Sequence, residues 1–170
     1  MSNLSIFNGS RVLITGHTGF KGSWLSLWLA QMGADVYGVS IDLPSEPSYF
    51  LAADLATRVN DHRLDIRDGD ALTTLVEQLQ PDFVFHLAAQ ALVRPAYVTP
   101  VDTWQTNAMG TINLLESLRS LKKTCVSVFI TSDKCYDNVE WVWGYRETDA
   151  LGGPDPYSAS KGAAELAIRS

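Results

Sequence analysis

Cysteine is scarce in this chain: Cys125 and Cys135 are the two it has. Their spacing fits neither a zinc pair nor a redox Cys-x-x-Cys, which argues against a disulfide framework and a structural metal. Histidine is equally sparse. His17, His62 and His86 have no second ligand at metal spacing, so each predicts a structural role and no metal site. Basic residues are few as well, thirteen against nineteen acidic ones for a net charge of -6, and they are scattered. No stripe exists to neutralise a nucleic-acid backbone, and nucleic acid is not an expected partner. A phosphorylated ligand remains open, because backbone N–H groups at a helix start hold anions without basic side chains. No stretch approaches the roughly 18 apolar residues of a membrane span, and no basic end precedes an apolar run. The expectation is a soluble, cytoplasmic protein. Internal repeats and low-complexity segments are also lacking, and 170 residues with 46% hydrophobic content predict one domain, residues 1–170, without an internal boundary.

What is present is alternation. Residues 11–15 (RVLIT) read as a strand that enters a glycine-rich turn, and Lys21 to Met32 carries apolar residues at helical spacing. Trp24 and Trp28, at i and i+4, predict a packed helix face. Asp35 to Ile41 is a second strand, followed by a short helical piece at 49–56 and a strand at 59–64. Asp68 can cap a helix to Gln80, and 83–87 (FVFHL) is a buried strand. A long helix is predicted from Thr103 to Leu121, a fifth strand at 126–131 and a last helix from Pro156 to Ser170. Such alternation predicts an α/β fold: a Rossmann-type, doubly wound parallel sheet with helices on both faces and ligands beyond the carboxyl ends of the strands.

The turn Gly16-His17-Thr18-Gly19-Phe20-Lys21-Gly22 lies between the first strand and first helix, where a dinucleotide pyrophosphate binds in such folds. Taken alone, such a turn also fits a purely structural role. Asp42, about twenty residues on, is placed for a carboxylate accepting from the adenosine ribose hydroxyls, although a solvated loop aspartate would look the same. No Arg near it could receive a 2′-phosphate, so NAD is expected over NADP. Tyr157 and Lys161 stand at i and i+4 on one helix face, and an ammonium there stabilises a phenolate acting as base. Ser132-Asp133-Lys134 closes the fifth strand, with a local surface ion pair as the plain alternative.

Thr15 to Gly22, with Tyr157-Ser158-Ala159-Ser160-Lys161, resembles the cofactor loop and Tyr/Lys pair of the extended short-chain dehydrogenase/reductase family. Residues 131–136 (TSDKCY) and 141–147 (WVWGYRE) resemble its nucleotide-sugar 4,6-dehydratases, and the CDP-glucose branch in particular. Most of these dehydratases carry Asp-Glu where this chain has Asp133-Lys134; the CDP-glucose branch carries lysine. The resemblance implies an NAD-dependent lyase acting on CDP-glucose, with a place in lipopolysaccharide O-antigen biosynthesis. It implies cofactor contacts from Gly16, His17, Thr18, Gly19, Phe20, Gly22, Asp42, Asp65 and Ile66 at the adenine, Leu87, Ala88, Ala89 and Gln90 after the fourth strand, Asn107, Tyr157 and Lys161. Ser132 would bond the reacting sugar oxygen, Tyr157 would take the C4 hydroxyl proton, Lys134 the C5 proton, and Asp133 would protonate the leaving C6 hydroxyl. Another nucleotide-sugar 4,6-dehydratase, a 4-epimerase or a truncated NAD-binding module without turnover are the alternatives. The resemblance also implies a homodimer through the helices 103–121 and 156–170, and a C-terminal substrate domain absent from these residues. The 170-residue chain alone is therefore expected to bind NAD weakly and not to turn over CDP-glucose.

Overall fold

The computed structural model describes residues 3–170. Five short strands, β1 (Arg11–Thr15), β2 (Asp35–Ser40), β3 (Asn60–Arg63), β4 (Phe83–His86) and β5 (Val126–Phe129), form one parallel sheet in the order β3-β2-β1-β4-β5. The chain winds outward from β1 to β3, then returns to the other flank of β1 at β4. That reversal opens a crevice at the carboxyl ends of β1 and β4, the place where doubly wound sheets hold ligands.

Burial explains the apolar run of β1. Val12 and Ile14 pack with Leu29 and Val36 on the side of α1 (Phe20–Gln31), whereas Leu13 packs with Val39, Val84, Leu72, Val76 and Leu114 on the side of α3 (Gly69–Leu79) and α6 (Gly110–Leu118). Side chains alternate across a strand, so a strand covered on both faces must be apolar at every position. Each such fully buried Val, Ile or Leu contributes about 1.5–3 kcal/mol. Asp68 caps α3 by accepting from the Ala71 N–H at 3.0 Å, and Gln80 ends it in the left-handed conformation at φ 47°. Asp155 caps α7 (Pro156–Arg169) in the same way, through the Ser158 N–H.

Several expectations need correction. Trp24 and Trp28 do not form the packed face of α1: they are about half exposed, and Gly22, Ser23, Ser26 and Leu29 face the sheet instead. Close approach of helix to strand behind a glycine turn admits only small side chains, so the indoles turn outward and Trp24 stacks on Tyr49. The long helix at 103–121 is instead α5 (Pro100–Trp104), a π-helical turn at Gln105–Met109, and α6, which stops at Leu118. A further helix, α4 (Val93–Val98), had no clear signal because Pro95 sits within it. The helical piece at 49–56 shortens to α2 (Tyr49–Ala52), since Asp54 takes a left-handed φ of 49° and a 3-10 turn, Leu55–Thr57, follows. The fifth strand ends at Phe129 rather than Thr131.

Candidate active site

The glycine turn is held against the end of β4. Gly16 has a φ of +76°, and a Cβ there would stand 2.7 Å from the Ala88 nitrogen; one on Gly22 would stand 2.1 Å from the Gly16 carbonyl oxygen. Neither position admits a side chain. The turn delivers α1 with Gly19 as its N-cap, no side-chain cap and no acidic residue in the first turn. First-turn N–H groups of such a helix have no intrahelical acceptor and favour an anion. Thr15, Gly16, Leu87 and Ala88 are thus one surface, tied by Leu87 N–H to the Thr15 carbonyl at 3.0 Å and Ala88 N–H to Thr15 Oγ1 at 3.2 Å.

The other residues implied for the cofactor are distributed unevenly around this crevice. Thr18 Oγ1 donates to the Asp42 carbonyl at 2.6 Å, which fixes the exposed Asp42 just beyond β2. His17 is fully buried, its imidazole turned towards β2 and β3, so only its main chain can line a groove. Asp65 is occupied by Arg67, whose Nη2 lies 2.6 Å away and whose hydrogen bond holds the carboxyl below the usual range. Ile66 is buried in the core, its side chain filling the space where Gly110 has no Cβ. Phe20 is largely exposed, and Leu87, Ala88, Ala89 and Gln90 are half-buried.

Asn107, in the π-helical turn, explains that turn. Its side chain accepts from Gln90 N–H at 2.8 Å and donates both to the Gln90 carbonyl and to Ser160 Oγ at 3.0 Å. A widened turn presents the amide to β4's following loop and to α7 at once. Ser160 Oγ in turn donates to the Tyr157 carbonyl at 2.7 Å. From the other side, Thr111 Oγ1 donates to the Asn107 carbonyl at 2.7 Å and lies 3.1 Å from His86 Nε2, while His86 Nδ1 lies 2.6 Å from Thr15 Oγ1. With Thr111 donating elsewhere, Nε2 carries the hydrogen and Nδ1 accepts from Thr15. A continuous buried chain thus runs from Ala88 through Thr15, His86, Thr111, Asn107 and Ser160 to the first turn of α7. His86 and Thr15, polar residues inside apolar strands, were its signal in the sequence; Thr111 and Ser160 had none.

At the mouth, Lys161 Nζ donates to the Ile130 carbonyl at 3.2 Å, which ties α7 to the end of β5. Lys161 is 7% exposed, and burial draws its pKa down to about 8, against the opposing effect of Glu165. It stays protonated at neutral pH with little reserve. One turn on, Glu165 accepts from Thr131 Oγ1 at 2.6 Å, a second tie that the sequence did not signal. Ser132 follows directly. Its Oγ accepts from the Lys134 N–H and donates to Asp133 Oδ1, both at 3.2 Å, starting a 3-10 turn over Asp133–Cys135. Asp133 and Lys134 are exposed at the mouth, and no ion pair joins them among the described residues. Tyr157 is half-buried at the start of α7.

The crevice, the uncapped helix start and the helix carrying Tyr157 and Lys161 are those of an NAD-binding Rossmann fold. The family model for GDP-mannose 4,6-dehydratase matches residues 13–170, and the chain belongs to that nucleotide-sugar 4,6-dehydratase family. It is 52% identical over 166 residues to the CDP-glucose 4,6-dehydratase of Salmonella typhimurium, a match covering 98% of this chain and 46% of that protein. It is 30% identical to a GDP-mannose 4,6-dehydratase of Vibrio cholerae, over 91% of this chain and 43% of that protein. The UDP-glucose 4-epimerase of Thermus thermophilus, solved with NAD, superposes with a TM-score of 0.79 at 30% identity, over 94% of this chain and 50% of that one. The chain thus spans about half the length of the relatives it matches.

Proposed function

We propose that the intact protein is an NAD-dependent lyase that converts CDP-glucose to CDP-4-dehydro-6-deoxyglucose. The observation that carries this reading is the bond from Lys161 to the Ile130 carbonyl, which brings the Tyr157/Lys161 helix to the strand end that bears Ser132, Asp133 and Lys134. A Tyr/Lys pair alone serves many sugar oxidations. An acid and a base beside it serve loss of water.

The residues present fit NAD. Gly16 and Gly22 leave backbone where a side chain would clash, α1 offers free N–H groups, and Asp42 provides an acceptor for ribose hydroxyls, while Arg63, level with Ser40 at the end of β2, is engaged by Asp61. When bound, NAD would supply the hydride acceptor for C4 and the donor for C6. Tyr157 Oη takes the C4 hydroxyl proton, with Lys161 one turn on along the same helix. Ser132 Oγ holds the same sugar oxygen. Oxidation at C4 acidifies C5; Lys134 Nζ then removes the C5 proton, and the Asp133 carboxyl protonates the departing C6 oxygen. Asp65, Ile66, Leu87, Ala88, Ala89, Gln90 and Asn107 shape the cofactor walls, in this reading largely through main chain.

The protein assembles as a homodimer. Pro100, Val101, Trp104, Met109, Ile112 and Ala163 line an apolar groove across α5, α6 and α7, the helices the family resemblance assigns to subunit pairing. A cytoplasmic location and a role in O-antigen sugar synthesis complete the proposal; no helix among the described residues is long and apolar enough to cross a membrane.

Incubating the intact protein with CDP-glucose and NAD should produce a 4-keto sugar, read by its absorbance in base. Formation of a C4 epimer instead would assign an epimerase, and NAD binding without product a binding module. Tyr157→Phe should abolish oxidation at C4 yet keep NAD bound, and Lys134→Met should block exchange of the C5 proton with solvent. Near-normal turnover or exchange would remove the corresponding role.

A further inference from the structure

We infer that His17 is the positioning residue of the cofactor loop: its imidazole suspends the glycine turn from β2 and β3 and, through Thr18, fixes Asp42, thereby setting affinity for NAD and preference over NADP. The inference rests on the NAD reading above and adds a determinant that lies outside the groove.

Turn residues are ordinarily exposed, yet His17 has no exposed surface. Its Nε2 lies 3.0 Å from Asp61 Oδ1, on β3. A carboxylate only accepts, so Nε2 carries the hydrogen and Nδ1 is left as an acceptor. Ser40 Oγ, at the end of β2, donates to that Nδ1 at 3.1 Å and receives the Thr18 N–H at 3.4 Å. Thr18 Oγ1 then donates to the Asp42 carbonyl. The chain of contacts runs from β3 across β2 to both the turn and Asp42. Asp61 is itself steadied by Arg63 Nη2 at 2.8 Å, and Arg63 lies over the Phe50 ring that meets the imidazole edge-on.

β2 gives up a side chain to admit this ring. A Cβ on Gly38 would stand 2.2 Å from imidazole Cδ2 and Cγ. Glycine within a strand weakens it and marks close approach of another group. Here that group is His17, so Gly38 and His17 form a lock-and-notch pair beneath the turn.

Packing and positioning make different forecasts for one double variant. In the intact protein, His17→Ala should lower the thermal midpoint, raise the Kd for NAD about tenfold or more, and narrow the preference over NADP. Adding Gly38→Ala puts a methyl into the vacated notch. The midpoint should then recover while the NAD Kd does not, because the bonds to Asp61 and Ser40 remain lost. Asp61→Leu keeps the imidazole but removes its acceptor, and should weaken NAD binding in the same direction; it carries the test if His17→Ala does not fold. Calorimetric titration with NAD and NADP reads all of these. Binding within about twofold of the parent in folded His17→Ala or Asp61→Leu would overturn the inference. So would a Kd restored together with the midpoint in the double variant, which would leave His17 as packing alone. A parent protein that binds no NAD would instead sink the functional reading on which this rests.

Discussion

Acidifying the protein from pH 7 to pH 5 should weaken its fold through His86. This residue is 4% exposed between β4's neighbours, its Nε2–H bonded to Thr111 and its Nδ1 receiving Thr15. Burial, with a smaller push from the Lys161 charge, pulls its pKa down to about 3, whereas an unfolded histidine titrates near 6.5. The folded pKa is the lower one, so the unfolded state binds the extra proton as pH falls. The contribution is therefore complete above about pH 6.5, shrinks through the window below it and is gone below about pH 3. One proton costs about 1.4 kcal/mol per pH unit, which makes about 2 kcal/mol by pH 5, a sizeable part of a domain's 5–15 kcal/mol. Asp65 and Asp82 are held low by hydrogen bonds with Arg67 and Lys123, and His17, whose pKa burial also lowers, responds alike in parent and variant, so none of them enters the difference between the two. Urea unfolding at pH 7 and pH 5, for the parent and His86→Gln, measures the effect. The variant starts less stable, having lost the Thr15–His86–Thr111 connection, but should lose about 2 kcal/mol less on acidification. An equal loss in both proteins would show that another group takes up the proton and that the neutral, single-tautomer assignment of His86 is wrong.

Other perturbations follow from single contacts. Gly22→Ala sets a methyl 2.1 Å from the Gly16 carbonyl and should cost about 1–3 kcal/mol or more in urea unfolding, with NAD binding lost as the turn shifts. Asp42→Ala should weaken NAD and bring NADP closer to it by titration; unchanged selectivity would remove Asp42 from the ribose. Trp104→Glu places a charge in the apolar groove and should halve the mass seen by light scattering, whereas an unaltered dimer would move the interface elsewhere.

Much of the sheet was readable because it follows from side-chain period and burial. The run at 12–14 is apolar throughout since β1 is covered on both faces, and Asp68 announces a helix because a cap is local chemistry. The same locality explains the errors. Trp24 and Trp28 have helical spacing, but which face of α1 meets the sheet depends on how closely Gly22 lets the helix approach Gly16, a relation between two backbones. The break at Asn107 was invisible because every residue from 105 to 109 remains compatible with an α-helix; partners on Gln90 and Ser160, 17 and 53 residues away, widen the turn.

The glycine turn and the Tyr157/Lys161 pair could be identified from order alone, because strand-turn-helix and i, i+4 spacing bring their atoms together within a few residues. The rest of the site is a matter of residues distant in the chain. Lys161 meets the Ile130 carbonyl, Asn107 meets Gln90 and Ser160, and His17 points down to Asp61 rather than outward. Such choices depend on which buried donors and acceptors remain unpaired after the strands align, and leaving one unpaired costs about 1–3 kcal/mol. That condition is met only in the assembled fold, so the imidazole's direction was set there and not by the turn in which it lies.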